Sequence, residues 1–147
     1  ESAQNTKGNA RKNAEKRLLV LILQEKKLYE KVSKLIKPED FSVPVYKKLA
    51  TIIYDRRTRG EEPEAADILN EFNKTPEEVD EAAAVFYNQE IYSDKEMTAW
   101  ELTKSILVGK IEQEMEESKD DSEKMQKLIM QRMELMRSKT LWLGERS

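Results

Sequence analysis

The sequence predicts an all-α protein: a helical bundle of about five helices followed by a long helix and a C-terminal helical hairpin. Three observations lead there. Proline occurs only at 38, 44, 63 and 76, so no proline ring interrupts a helix beyond Pro76. Beyond that point glycine occurs only at 109 and 144. Apolar residues recur three and four apart, with no strict alternation and no internal repeat of about 20 to 50 residues.

Each element has its own signal. Leu18, Leu19, Leu21, Ile22 and Leu23 make a first helix too apolar to keep a solvent side, so it belongs in the core. Leu28, Val32, Leu35 and Ile36 follow at helical spacing. Lys37-Pro38 stops this second helix near Ile36, because a residue before proline is pushed out of the α region. After Pro38-Glu39-Asp40-Phe41, Pro44 suits the first turn of a third helix with the face Val45, Tyr46, Leu49, Ile52 and Ile53. Arg56, Arg57, Arg59 and Gly60 form its end signal, the cations matching the negative end of the helix dipole. Pro63 opens a short fourth helix that buries Ile68, Leu69 and Phe72. Thr75-Pro76-Glu77-Glu78 combines a capping box with proline at the first helical position, and the fifth helix buries Val79, Ala82, Ala83 and Phe86.

Ser93-Asp94-Lys95-Glu96 is a second capping box. The pattern after it, through Met97, Trp100, Leu107, Ile111 and Met115, is long enough for about six or seven turns and outruns the compact bundle. Ser118, Asp120 and Asp121 let the chain turn, with Asp120 as N-cap answered by Glu123. A final helix carries Met125, Leu128, Ile129, Met133, Leu135, Met136, Leu141 and Trp142, antiparallel to the one before it. The organisation expected is a polar linker remnant over 1–12, a bundle over 13–92, and the long helix with its hairpin over 93–147. The start at Glu1 without an initiator methionine reads as a fragment of something larger.

Composition narrows the function. A chain of 147 residues suits one domain with a real core. With no cysteine and no histidine it has no thiolate nucleophile, thiolate metal site, triad base or imidazole ligand. A formal charge of −3 argues against gripping nucleic-acid phosphates as a main task. The longest apolar run, Leu18 to Leu23, is far short of the roughly 20 residues that cross a bilayer, so a soluble, cytoplasmic chain is expected.

Candidate chemistry is thin. The acidic pairs Glu61-Glu62, Glu77-Glu78, Glu116-Glu117 and Asp120-Asp121 fall at helix starts and turns, where capping accounts for them better than acid–base or Mg²⁺ chemistry. Gly109-Lys110 lacks the surroundings of a phosphate loop. No catalytic residue, metal ligand or cofactor is expected. Arg56, Arg57 and Arg59 read as a cap and solvated face before they read as a nucleic-acid contact. The most informative feature is methionine: Met125, Met130, Met133 and Met136 fall within twelve residues of the last helix, among Leu128, Ile129 and Leu135. They cover more than one face, so part of this helix meets either the bundle or a partner.

The order apolar helix, second helix, Pro38-Glu39-Asp40-Phe41, third helix, Gly60-Glu61-Glu62-Pro63, Ile68-Leu69 resembles a domain shared by two bacterial replication proteins. These are the C-terminal helicase-interaction domain of DnaG-type primases and the N-terminal domain of DnaB-type replicative helicases. The resemblance covers about Ala14 to Phe72. The absence of glycine from Lys74 to Gln89 and the terminal hairpin favour the primase domain, with the helicase N-terminal (collar) domain as the alternative.

That resemblance implies a non-catalytic domain that docks on the collar of the hexameric helicase, brings primase to the fork and stimulates helicase ATPase. Some primases also bind a single-stranded-DNA-binding protein tail, which no motif here decides; direct nucleic-acid or membrane contact is not expected. By helical position the helicase-binding residues are Met125, Leu128, Arg132, Leu135, Met136, Lys139 and Trp142, the apolar members as anchors and Arg132 and Lys139 as polar rim. Self-association distinguishes the alternative, because ring domains of the helicase tend to pair with themselves.

Overall fold

The computed structural model describes residues 3–72, 75–87 and 91–143, and among these every regular element is helical. The order is α1 (Ala3–Gln24), α2 (Lys26–Val32), a 3₁₀ turn (Pro38–Asp40), α3 (Pro44–Thr58), α4 (Ala65–Leu69), α5 (Pro76–Tyr87), α6 (Lys95–Glu117), α7 (Ser122–Arg137) and α8 (Thr140–Leu143). The predicted all-α bundle with a long helix and hairpin is the fold observed.

Helix α1 is the spine. Leu18 to Leu23 are all buried, as their unbroken apolar run requires, with α2, α3, α5 and α6 packed around them. Helix α6 lies antiparallel to α1: Lys95 reaches Glu25 at 3.2 Å near one end, and Arg11 reaches Gln113 at 3.1 Å near the other. At the crossing of Arg11 over α6 the residue is Gly109, where a Cβ would stand 3.2 Å from the arginine Cδ. Because α1 begins at Ala3, residues 3–12, expected as linker, are helical. There Arg11 bonds Gln113 of α6 and the Asp40 carbonyl. The core is continuous from Ala14 to Trp142, across the expected boundary at 92/93.

A charged network fastens the start of α3 to this spine. Glu15 has no exposed surface, yet its carboxylate accepts from Ser42 N at 2.9 Å, Ser42 Oγ at 2.8 Å and Arg11 Nε at 3.1 Å. It thus serves amides ahead of α3, whose own N-cap, Val43, has no side-chain acceptor. Asp40 accepts from Lys37 N at 2.8 Å and pairs with Lys110 at 2.7 Å, while Phe41 beside it is fully buried. The Pro38-Glu39-Asp40-Phe41 turn is therefore a clasp between α2, α3 and α6.

Several boundaries shift from expectation. Helix α2 ends at Val32, and a turn bonded to the Val32 carbonyl delivers Ile36 to the core. Helix α4 starts at Ala65, two residues beyond Pro63, and α5 buries Val85 along with Ala82 and Phe86. The caps of α6 and α7 are Asp94 and Asp121, accepting from Met97 N and Lys124 N, rather than Ser93 and Asp120. The final helix breaks at Ser138, whose extended backbone turns α8 so that Trp142 lies 5.8 Å from Trp100, ring to ring. Residues 1–2, 73–74, 88–90 and 144–147, with parts of the expected linker and terminal helix, lie outside the described residues.

Candidate functional site

Helices α6 and α7 form the antiparallel hairpin, and α7 packs chiefly on α6. Leu128 and Leu135 point at α6 and are buried, at 4% and 7% exposure. The ridge beside them is Met125, Ile129, Met133 and Met136, spaced by four, four and three residues. Met125 is half-buried, whereas Ile129, Met133 and Met136 are 41%, 53% and 54% exposed; Met130, off the ridge, is 69% exposed.

This ridge borders two shallow grooves. One, at the turn end, is lined by Met115, Met125, Ile129 and Met133 with Glu116 and Lys119. The other, at the open end, lies between α1 and α6 and is lined by Ala10, Arg11, Lys104, Val108 and Met136. Between them Arg132 bonds Glu112 at 3.0 Å across the hairpin. The opposite side of the hairpin holds a groove with Leu35, Leu107, Ile111 and Leu141 on its walls.

The seven residues expected to contact a helicase divide. Leu128, Leu135 and Trp142 belong to the chain's own core, so they are not surface anchors. Trp142 packs on Trp100 with the Lys31 ammonium 5.3 Å from its ring. Lys31 also bonds Glu96, which holds that carboxyl below its usual range. Arg132 is tied to Glu112 rather than standing at a rim. Met125, Met136 and Lys139 remain on or beside the open face. The expectation left out Ile129 and Met133, which the four-residue spacing from Met125 marks, and Met115, which α6 brings beside them across the turn.

The arginine cluster is engaged within the fold. Arg57 is buried and donates to the carbonyls of Ile22 at 3.3 Å and Leu23 at 2.6 Å. Arg56 pairs with Glu71, and Arg59 with Asp55 at 2.8 Å. Among the described residues no group of three or more acids is placed to hold a metal ion, and no helix is long and apolar enough to cross a membrane.

The family model of the DnaB-like helicase N terminal domain matches residues 8–104, from α1 to the middle of α6. Curated proteins and solved structures give no match. The family match overturns the expected primase C-terminal domain, and with it the expected docking on a helicase from outside and stimulation of its ATPase. The features that favoured primase do not discriminate. A glycine-free stretch after Lys74 is what a helix such as α5 favours in any sequence, and the second half of the hairpin lies outside the match.

Proposed function

We propose, since this chain belongs to the family of DnaB-like helicase N-terminal domains, that it is a non-catalytic assembly domain of a replicative helicase, pairing copies of itself within the N-terminal collar. The observation that carries this reading is the apolar ridge of α7, left open along a hairpin whose two ends bear opposite charge. Residues 116–123 at the turn hold five acids and one lysine; residues 133–139, beyond the Arg132–Glu112 bridge, hold two bases and one acid.

A second copy laid antiparallel on the same face brings its basic end to the acidic turn of the first. Met125, Ile129, Met133 and Met136 of both copies then form the dry centre, with charges at the rim, as an interface repeated by a two-fold axis requires. The charges set direction and encounter rate more than affinity. Methionine suits the centre because its unbranched side chain adapts to the opposing surface.

Size-exclusion chromatography with light scattering tests this across concentration. The expected result is concentration-dependent association, abolished by Met133→Asp with helicity unchanged. A chain monomeric at its highest soluble concentration, or a Met133→Asp variant that associates like the parent, refutes the reading.

A further inference from the structure

The chain has no cysteine, so its only sulfurs are six methionine thioethers. Three of them, Met130, Met133 and Met136, stand exposed on one helix, while Met115 and Met125 are half-buried at the α6–α7 seam. We propose that α7 is an oxidation-sensitive surface, on which hydrogen peroxide converts Met133 and Met136 to sulfoxides and thereby separates paired copies. This rests on the self-pairing reading above and names how that same surface is regulated.

The chemistry is closed. The thioether sulfur takes one oxygen from peroxide; the O–O bond breaks, an S–O bond forms, and the second oxygen leaves as water with both protons. Sulfur is oxidised by two electrons and peroxide is reduced by two. The product replaces a flexible apolar group by one carrying a strong hydrogen-bond acceptor. The donors nearest the ridge, Arg132, Lys119, Lys104 and Arg11, are already bonded to Glu112, Glu116, Glu101 and Glu15, so a sulfoxide oxygen buried in a dry contact must compete for them, and that cost opposes association.

Met130 supplies an internal control. It is the most exposed of the three but lines neither groove beside the ridge. Peroxide therefore reaches it first, and its oxidation leaves pairing intact. Pairing shields Met133 and Met136 from peroxide and leaves Met130 open.

The test treats the chain with hydrogen peroxide at concentrations where it is mainly paired and mainly single, mapping sulfoxides by peptide mass spectrometry and association by light scattering. Expected are slower oxidation of Met133 and Met136 in the paired state and a dissociation constant raised at least about tenfold by their oxidation. Methionine sulfoxide reductases restore the original value. The double variant Met133→Leu, Met136→Leu is expected to pair, and to stay paired after peroxide although Met130 is oxidised. An oxidised parent that pairs as before, or a double variant disrupted as the parent is, overturns the inference. An untreated chain that does not pair overturns the self-pairing reading itself, and this inference with it.

Discussion

Replacing Arg57 by alanine separates the two meanings of the arginine cluster at the end of α3. Its guanidinium is 3% exposed, with Nε on the Ile22 carbonyl at 3.3 Å, Nη2 on the Leu23 carbonyl at 2.6 Å and Nη1 on Glu62 at 3.1 Å. Ile22 and Leu23 lie in the last turn of α1, where carbonyls have no partner within the helix. Arg57 thus caps the central helix from a neighbouring one, placing a cation where the helix dipole is negative. A hydrogen bond to a charged group contributes about 1.5–3 kcal/mol, and a buried carbonyl left alone costs a similar amount. Glu62 is 76% exposed and adds little. Allowing for partial relaxation of the α1 end, Arg57→Ala costs about 3 kcal/mol, or a fall of about 6–12 °C in Tm for a chain of this size. Urea unfolding followed by circular dichroism measures it. Arg59→Ala, at a side chain 53% exposed, should change stability by less than about 0.5 kcal/mol. Arg57→Lys falls between, since one ammonium cannot span two carbonyls as the fork does. Equal effects of Arg57→Ala and Arg59→Ala would refute the capping argument and return the cluster to the solvent.

Two further expectations follow from burial. Leu128→Ala should destabilise by about 3 kcal/mol and Met130→Ala by less than about 0.5 kcal/mol, since the first empties the α6–α7 seam and the second trims an exposed side chain; urea midpoints compare them directly. Tyr54 donates to the Ile36 carbonyl at 2.6 Å, and its burial, reinforced by Tyr29 and Asp40, raises its pKa above the ordinary 10.0. The folded state then keeps a proton that the unfolded state loses, so this contribution is complete below about pH 10 and declines as pH rises beyond it. Tyr54→Phe should lower stability by about 1 kcal/mol at neutral pH and unfold less steeply in alkali than the parent. Some alkaline loss remains, because burial and Glu81 raise Tyr46 as well.

What the sequence conveyed follows its physics. Helix existence was legible because periodic apolar residues and prolines act locally: Leu18 to Leu23 could only be core, and Pro44 could only open α3. Boundaries were less legible where neighbouring residues offer the same chemistry, as with Ser93 against Asp94 or Asp120 against Asp121; the choice depends on backbone angles fixed by packing. Residues 3–12 carry little apolar signal, and the bonds that Arg11 makes there, to Gln113 and the Asp40 carbonyl, reach residues distant in sequence. The surface was half legible. Clustered methionines marked the right helix, but pattern alone gave Leu128, Leu135 and Trp142 to a partner when α6, Trp100 and Lys31 already cover them.

The position of α7 explains why a ridge remains. Helix α6 has α1 along one flank and α7 along the other, whereas α7 lies at the edge and packs chiefly on α6. An edge helix needs one buried stripe, and Leu128 and Leu135 provide it. Ile129, Met133 and Met136 exceed that need. Surplus core residues would be sheltered by the fold, yet these three are exposed beside the Arg132–Glu112 bridge. That bridge spans α6 and α7 between the two grooves. The apolar excess on α7 is what the pairing proposed above would cover, and the opposed charges at its two ends would favour an antiparallel copy over a parallel one.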